Sequence, residues 1–138
     1  TITGIKWIQG ASGVYTASNY NGVGLYTLSS GTYTLVASST NDGNIWKGTV
    51  STMQSKAFSS TYSASAGLYF IAILYSSSAA TTTPAVGTLP SINFQNYTLD
   101  FTNSPQISGF VPAQTSLPSS FAGTSAGTMT SPYYLALY

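Results

Sequence analysis

The chain is built from short runs rich in Thr, Tyr, Val, Ile and Phe, which recur about every ten residues between Gly, Pro, Asn and Ser. These residue types favour strands, and nowhere do helix-forming residues recur at the 3.6-residue spacing of an amphipathic helix. Evenly spaced short strands are typical of antiparallel sandwiches. We therefore expect an all-β fold, an antiparallel β-sandwich of jelly-roll or Ig-like type with about eight strands and no long helix.

A hairpin is the clearest local signal. Two alternating runs in "NGVGLYTLSSGTYTLVAS" are separated by Ser29, Ser30 and Gly31, and the glycine tolerates the positive φ that tight hairpin turns require. In "TITGIKWIQ" both faces of the predicted strand carry apolar residues, so the alternation does not indicate which face points towards the core. In "TMQSKAFS" it predicts a strand with one wet face, in which Met53, Ser55 and Ala57 oppose Gln54, Lys56 and Phe58.

The most apolar stretch is "GLYFIAILY" at 67–75. A strand that is apolar on both sides is expected to be covered on both sides, either inside a sandwich with an aromatic outer face or against a second subunit. Prolines punctuate the chain beyond it, so we expect residues 76–91 and 102–130 to be rich in loops, with short strands at "INFQNYTLDF" and "QISGFV". The final "SPYYLALY" predicts a strand that ties the end of the chain into a sheet.

Charge is nearly absent, at 4% of residues, while 20 threonines and 23 serines supply most of the polar surface. Nucleic-acid binding needs clustered Lys and Arg, which the sequence lacks, and no apolar run is long enough for membrane insertion. With 138 residues and no internal repeat, we expect a single domain over 1–138, excised from or matured out of a longer polypeptide. The charged residues are Lys6, Lys47, Lys56, Asp42 and Asp100.

The inventory of reactive side chains is small. Cysteine and histidine are absent, which excludes tetrahedral zinc and His-dependent nucleophilic catalysis, and we expect no cofactor. The turn "NDGN" offers oxygen ligands, but its single carboxylate is too few for a calcium site. A glycosidase pair would need Asp42 beside Asp100, and nothing in the sequence brings them together. The sequence therefore favours binding over bond-making.

Aromatic residues next to Asn and Gly are the candidates for ligand contact. Tyr15 and Tyr20 lie in "SGVYTASNYNG", which has the composition of an exposed loop, and Asn19 and Asn21 would add hydrogen-bonding groups to a platform that stacks on sugar rings. The alternative is that such tyrosines fill strand faces.

A second candidate follows the turn "NDGN". Asn44 and Trp46 could contact a ligand there, although a tryptophan just inside a strand is also typical of a core plug. Asn19, Asn21 and Asn44 thus join Tyr15, Tyr20 and Trp46 as predicted ligand-binding residues.

Four elements in order, "GLY", "GTYTLVA", a Trp after a small polar turn and "GLYFIAILY", cover roughly residues 20–80. Their order resembles that of distal β-sandwich domains of bacteriophage tail fibres and other virion surface proteins. The resemblance implies a fibre or spike tip domain on the virion surface that attaches to the host, forms a homotrimer and has no enzymatic activity. Its partners would be copies of itself, other virion proteins and a glycan of the host surface.

Two other roles are consistent with the same residues. One is a capsid or head decoration domain without receptor binding, and the other is a carbohydrate-binding module of a secreted protein. Under the fibre reading, the chain is the C-terminal part of a longer virion protein.

Overall fold

The computed structural model describes residues 1–87, 109–128, 133 and 135–138. Within these ranges every strand pairing is antiparallel, and the one helical segment is a single 3-10 turn at Gly123–Ser125. The strands in chain order are β1 (Ile2–Ala11), β2 (Val14–Ala17), β3 (Gly22–Ser29), β4 (Thr32–Ser38), β5 (Met53–Tyr62), β6 (Tyr69–Leu74), β7 (Ser77–Thr82), β8 (Ala85–Val86), β9 (Gly109–Phe110), β10 (Ser120–Ala122), β11 (Gly127–Thr128) and β12 (Leu135–Leu137).

Two four-stranded sheets form the body of the protein. The first has the order β12-β1-β5, with β8 pairing to the far end of β1. The second has the order β10-β4-β3-β6. Two ribbons, β2 with β7 and β9 with β11, complete the fold.

The core lies between the two sheets. Strand β1 turns Ile5 and Trp7 inward, which settles the face that alternation left open, and β5 adds Phe58. From the second sheet, β3 contributes Val23 and Leu25 to the same cluster. Each of these side chains is almost wholly removed from water, which is the main source of stability in a chain without disulfides.

The outer face of the second sheet is covered as well, because residues 115–118 lie against it before the chain pairs with β4 as β10. The Tyr26 hydroxyl donates a hydrogen bond to the Pro118 carbonyl (2.7 Å), and the Leu35 amide donates to the Ser119 carbonyl (2.9 Å). At Gly24 a Cβ would lie 2.7 Å from Leu117 Cδ1, so a larger residue would require the Leu117 side chain to shift. Strand β3 is therefore buried on both faces along its first five residues.

These observations confirm the expected all-β antiparallel sandwich, with twelve short strands in the described part where about eight were predicted. Among the described residues no helix is long and apolar enough to cross a bilayer. The predicted hairpin is formed by β3 and β4, and β5 has the expected alternation, with Phe58 buried and Met53, Ser55 and Ala57 exposed. The terminal strand β12 pairs with β1, and the Tyr138 carbonyl accepts hydrogen bonds from Thr3 and Gly4.

The stretch "GLYFIAILY" contains β6, which is half-buried at every position. Ile71 and Ile73 pack against the core, and on the other face Phe70 meets Tyr33 edge-on with ring centroids 4.8 Å apart. The strand is therefore covered on both sides, and its sheet has an aromatic outer face. It lies at the side of the sheet in the described part, since its only strand partner there is β3.

The expectation of a loop-rich segment at 76–91 is wrong for its described part. Residues 77–82 form β7, paired with β2, and residues 85–86 form β8. Uncharged Ser, Ala and Thr are compatible with either state, and pairing to β2 decides in favour of the strand. The predicted strand at 92–101 lies outside the described residues, while β9 falls within the strand predicted at "QISGFV".

The hairpin turn carries local strain that a single substitution relieves. Ser30 has φ of 47° and Gly31 has φ of 74°, the two positive values of a type I′ turn, in which asparagine is preferred at the first position. We expect Ser30→Asn to raise the free energy of unfolding by about 0.5 to 1 kcal/mol in urea denaturation, because asparagine adopts this conformation at lower cost than serine. Ser29→Asn, one residue earlier in the strand, is the control and brings no gain. Equal effects of the two variants would contradict the turn assignment.

The buried Tyr26 hydroxyl predicts sensitivity to alkali. Burial raises the pKa of Tyr26 to about 12, above the ordinary 10. Since the folded state favours the neutral phenol, its contribution to stability is complete below pH 10 and is lost as the pH rises from 10 towards 12. The loss is at most about 2.7 kcal/mol, because one pKa unit corresponds to about 1.4 kcal/mol.

Denaturation of Tyr26→Phe at pH 9 to 12 tests this expectation. The variant loses the hydrogen bond to Pro118 but shows a shallower fall in stability over that range. Tyr138→Phe, at an exposed position, retains the full slope. An unchanged slope in Tyr26→Phe would show that other groups control alkaline unfolding.

Candidate ligand-binding cleft

The turn at 41–48 is held against the sandwich by one buried asparagine. The backbone amide of Asn21 donates to Asn41 Oδ1 (2.9 Å), and its carbonyl accepts from the Asp42 amide (2.9 Å). Its side chain pairs with the backbone of Ser76 as a neighbouring strand would, with Nδ2 donating to the carbonyl (2.8 Å) and Oδ1 accepting from the amide (2.9 Å). Asn21 thereby fixes the turn to the end of β6.

The other anchor of this turn is Trp46, which is only 2% exposed. Its Nε1 donates to the Leu74 carbonyl (2.9 Å), and its ring packs against Trp7 with centroids 5.1 Å apart. Gln9, fully buried, accepts from Trp7 Nε1 (3.1 Å) and directs its own amide towards the carbonyls of Trp46, Ala85 and Ala11. Four segments distant in sequence therefore meet at this point.

An open cleft of about 400 Å³ lies between this turn and the beginning of β5. Trp7 forms its floor and is 1% exposed, so the ring presents almost no face to a ligand. The walls carry amide, hydroxyl, ammonium and carboxylate groups. The lining residues are Trp7, Asp42, Asn44, Ile45, Lys47, Gly48, Gln54, Ser55 and Lys56.

Three of the five charged residues of the chain line this cleft. Lys56 donates to Asp42 Oδ2 at 2.7 Å, and the Asn44 backbone amide donates to Asp42 Oδ1 at 3.0 Å. The Lys56 ammonium, followed by the Asn44 amide, holds the pKa of Asp42 below its usual value. The side chains of the pair are 22% and 35% exposed, so the pair stabilises the fold by about 1 kcal/mol or less.

Lys47 is placed differently. Its ammonium lies over the ring of Tyr15, 4.7 Å from the centroid, and within the described ranges it forms no salt bridge. Tyr15 is itself fixed, because Tyr75 packs edge-on against it with centroids 5.0 Å apart. The lining of the cleft thus includes one lysine paired with a carboxylate and one lysine without such a partner, as far as the described residues extend.

The six predicted site residues lie in one region of the protein, but they serve different purposes. Asn21 and Trp46 hold the turn in place, as described above. Tyr20 is half-buried, and its hydroxyl donates to the Ser39 carbonyl (2.7 Å). Asn19 and Asn44 are exposed, and of the six only Asn44 lines the cleft.

Tyr15 was expected in an exposed loop, and the structure places it in β2 with 7% of its surface exposed. Burial raises the pKa of Tyr15, and its hydroxyl has no hydrogen-bond partner in the described part of the chain. Trp46 lies in a turn and not in a strand, and it serves as the core plug that was the alternative to ligand stacking. The stacking faces that a sugar platform requires are therefore covered by protein at both positions.

Of the nine residues that line the cleft, sequence reasoning predicted only Asn44 as a ligand contact. Lys47 and Lys56 were treated as scattered charges, although their grouping with Asp42 is the main electrostatic feature of the described surface. The sequence did contain a signal for part of the cleft. Alternation in β5 places Gln54 and Lys56 on the same side of the strand as the buried Phe58, so it predicts two polar side chains at the edge of the core.

The chemistry of the cleft is that of hydrogen bonding. Asp42 accepts hydrogen bonds from Lys56 and from the Asn44 amide, and these contacts lower its pKa and make this carboxylate a weaker proton acceptor. The described residues contain no group of three His, Cys, Asp or Glu side chains that could hold a metal ion. Asp100, the other carboxylate, lies outside the described residues. The available donors are the ammonium groups and the Asn44 amide.

Comparison of the chain with protein-family models, with curated proteins and with solved structures yields no match.

The integrity of the turn should depend on Asn21. Replacement by alanine leaves the Ser76 amide without a partner and leaves the Ser76 carbonyl with the Ser18 amide as its one donor, so we expect Asn21→Ala to lower the free energy of unfolding by about 2 to 3 kcal/mol in urea denaturation. Asn19→Ala is the matched control, because Asn19 is exposed and forms a single 3.3 Å hydrogen bond to Ser76 Oγ. It should change stability by about 0.5 kcal/mol or less. Similar losses in both variants would refute the anchoring role of Asn21.

Proposed function

We propose that this chain is a non-enzymatic attachment domain of a virion surface protein, of the bacteriophage tail-fibre kind, which binds a saccharide of the host surface in the cleft between the 41–48 turn and β5. The observation that carries the proposal is the grouping of charge in that cleft on a chain that is otherwise almost uncharged. A neutral, hydroxyl-rich exterior with one polar cleft suits recognition of an uncharged or weakly charged polymer better than recognition of nucleic acid.

The arrangement of the four resembling elements supports the same proposal. The "GLY" run lies in β3, "TYTLVA" lies in β4, and both are neighbours in one sheet with β6, which carries "YFIAIL". Trp46 joins this unit through its hydrogen bond to Leu74 at the end of β6. The sequence order thus corresponds to one contiguous structural unit.

A carbohydrate-binding module is the second candidate, and one observation favours it. One chain already brings amide, ammonium and carboxylate groups together around the cleft, as a module that binds as a monomer would need. The fibre proposal adds the expectation of a homotrimer, in which copies of the domain present the cleft several times and so increase avidity.

Saccharide binding and mass in solution together test the proposal. We expect the purified domain to bind members of a printed panel of bacterial and host saccharides and to have the mass of a trimer in sedimentation equilibrium. In Asn44→Ala we expect roughly tenfold weaker binding, because the side-chain amide of Asn44 forms no hydrogen bond within the described residues and is free to contact the ligand.

Asn19→Ala again serves as the control, since Asn19 is an exposed asparagine outside the cleft, and it should bind as the unaltered chain does. Binding by a monomer would favour the carbohydrate-binding module. A trimer that binds no saccharide would favour a decoration domain, and a monomer that binds none would contradict the proposal altogether.

A further inference from the structure

We infer that the cleft recognises a saccharide unit with a single negative charge, a carboxylate or a sulfate ester, and that Lys47 supplies the contact to that charge. This inference rests on the proposed function and names the class of sugar that the same cleft would take.

The balance of charge in the cleft leads to this class. Lys56 and Asp42 neutralise each other at 2.7 Å, and the second oxygen of Asp42 is engaged by the Asn44 amide. Lys47 then remains as a positive charge without a carboxylate partner in the described part of the chain. Because the rest of the surface is nearly uncharged, this ammonium dominates the local potential, which favours a ligand with one negative charge.

The position of Lys47 is also restricted before any ligand arrives. Its ammonium lies 4.7 Å from the centre of the Tyr15 ring, and that ring is buried and packed by Tyr75. A cation over an aromatic face is attracted by the ring quadrupole, which limits the freedom of a long side chain. An ammonium held in this way loses less entropy on binding an anion than a lysine free in solvent does.

The remaining groups of the cleft complement hydroxyls. The Asn44 side-chain amide donates and accepts hydrogen bonds, and Gln54 Oε1 is an acceptor while its amide donates to Thr52 (2.6 Å). One cation surrounded by neutral hydrogen-bonding groups matches a sugar that carries one acidic substituent. A phosphate monoester carries −1.5 to −2 charges at neutral pH, and a polyphosphate needs several cations, so both fit this balance less well.

Matched pairs of sugars test the inference. The probes are glucuronate and glucose 6-sulfate, each compared with glucose, and galacturonate compared with galactose, with binding followed by amide chemical shifts in NMR titrations at low salt. We expect each acidic sugar to bind about tenfold more tightly than its neutral counterpart, because hydrogen bonds to charged groups are the stronger ones. The preference should weaken as salt is added.

Two variants with the same change in net charge locate the effect. Lys47→Gln should abolish the preference, so that each acidic sugar binds no more tightly than its neutral counterpart does to the same variant. Lys6→Gln should retain the preference. Lys6 is on β1, where its ammonium lies over the Tyr138 ring, and it does not line the cleft. A loss of preference in both variants would assign it to net charge and would overturn the role of Lys47.

The remaining outcomes separate this inference from the proposed function. If neutral and acidic sugars bind equally and Lys47→Gln has no effect, the inference is overturned while saccharide attachment stands. Binding of glucose 6-sulfate without binding of the uronates identifies the charged group as sulfate, and the reverse identifies it as carboxylate. If no sugar of the panel binds, the inference and the attachment function are both contradicted.

Discussion

The cluster of Trp7, Gln9 and Trp46 is the interaction on which the rest of the structure depends. Gln9 has no contact with water, and its amide group is satisfied by the indole of Trp7 and by backbone carbonyls from three other places in the chain. A buried amide with partners is stabilising, whereas one left without them is costly, so these segments are obliged to meet in one arrangement. This cluster determines the shape of the cleft, because Trp7 forms the floor of the cleft and Trp46 fixes the turn that forms one wall.

The scarcity of charge gives the few charged groups more influence. On an ordinary domain about a quarter of residues are charged, and a single lysine is one contribution among many. Here 4% are charged, and hydroxyls provide solubility without a strong field. The field of an exposed ammonium still decays over a Debye length of about 8 Å at physiological salt, so its influence is local to the cleft. A surface of this kind resists non-specific binding to charged polymers and concentrates selectivity at one site.

The sequence predicted those parts of the fold that depend on a few neighbouring residues. The hairpin followed from Gly31 and its flanking runs, and the alternation of β5 placed Phe58 in the core, because turn chemistry and the period of two act over a few residues. Strand β7 was missed since its neutral Ser, Ala and Thr suit a loop equally well until β2 pairs with it. The burial of Tyr15 depends on Tyr75, sixty positions away in the sequence, and the cleft joins three separate segments. Contacts of that kind leave no pattern in a single stretch of chain.

Lys56 illustrates why the unpaired cation and not the paired one defines the ligand. Strand β5 is an edge of its sheet in the described part, and a charge that points inward from an edge strand opposes further pairing with another chain. Lys56 shares the inward face with Phe58, and Asp42 satisfies its ammonium at 2.7 Å. Its removal would leave Asp42 half-buried without a counter-charge, with the Asn44 amide as its remaining donor, and would free the edge at the same time, so structure and binding would change together. Within the described residues the Lys47 side chain forms no salt bridge, and its ammonium lies over the Tyr15 ring. We therefore expect that substitutions of Lys47 can change the proposed selectivity for an anion without disrupting the sandwich.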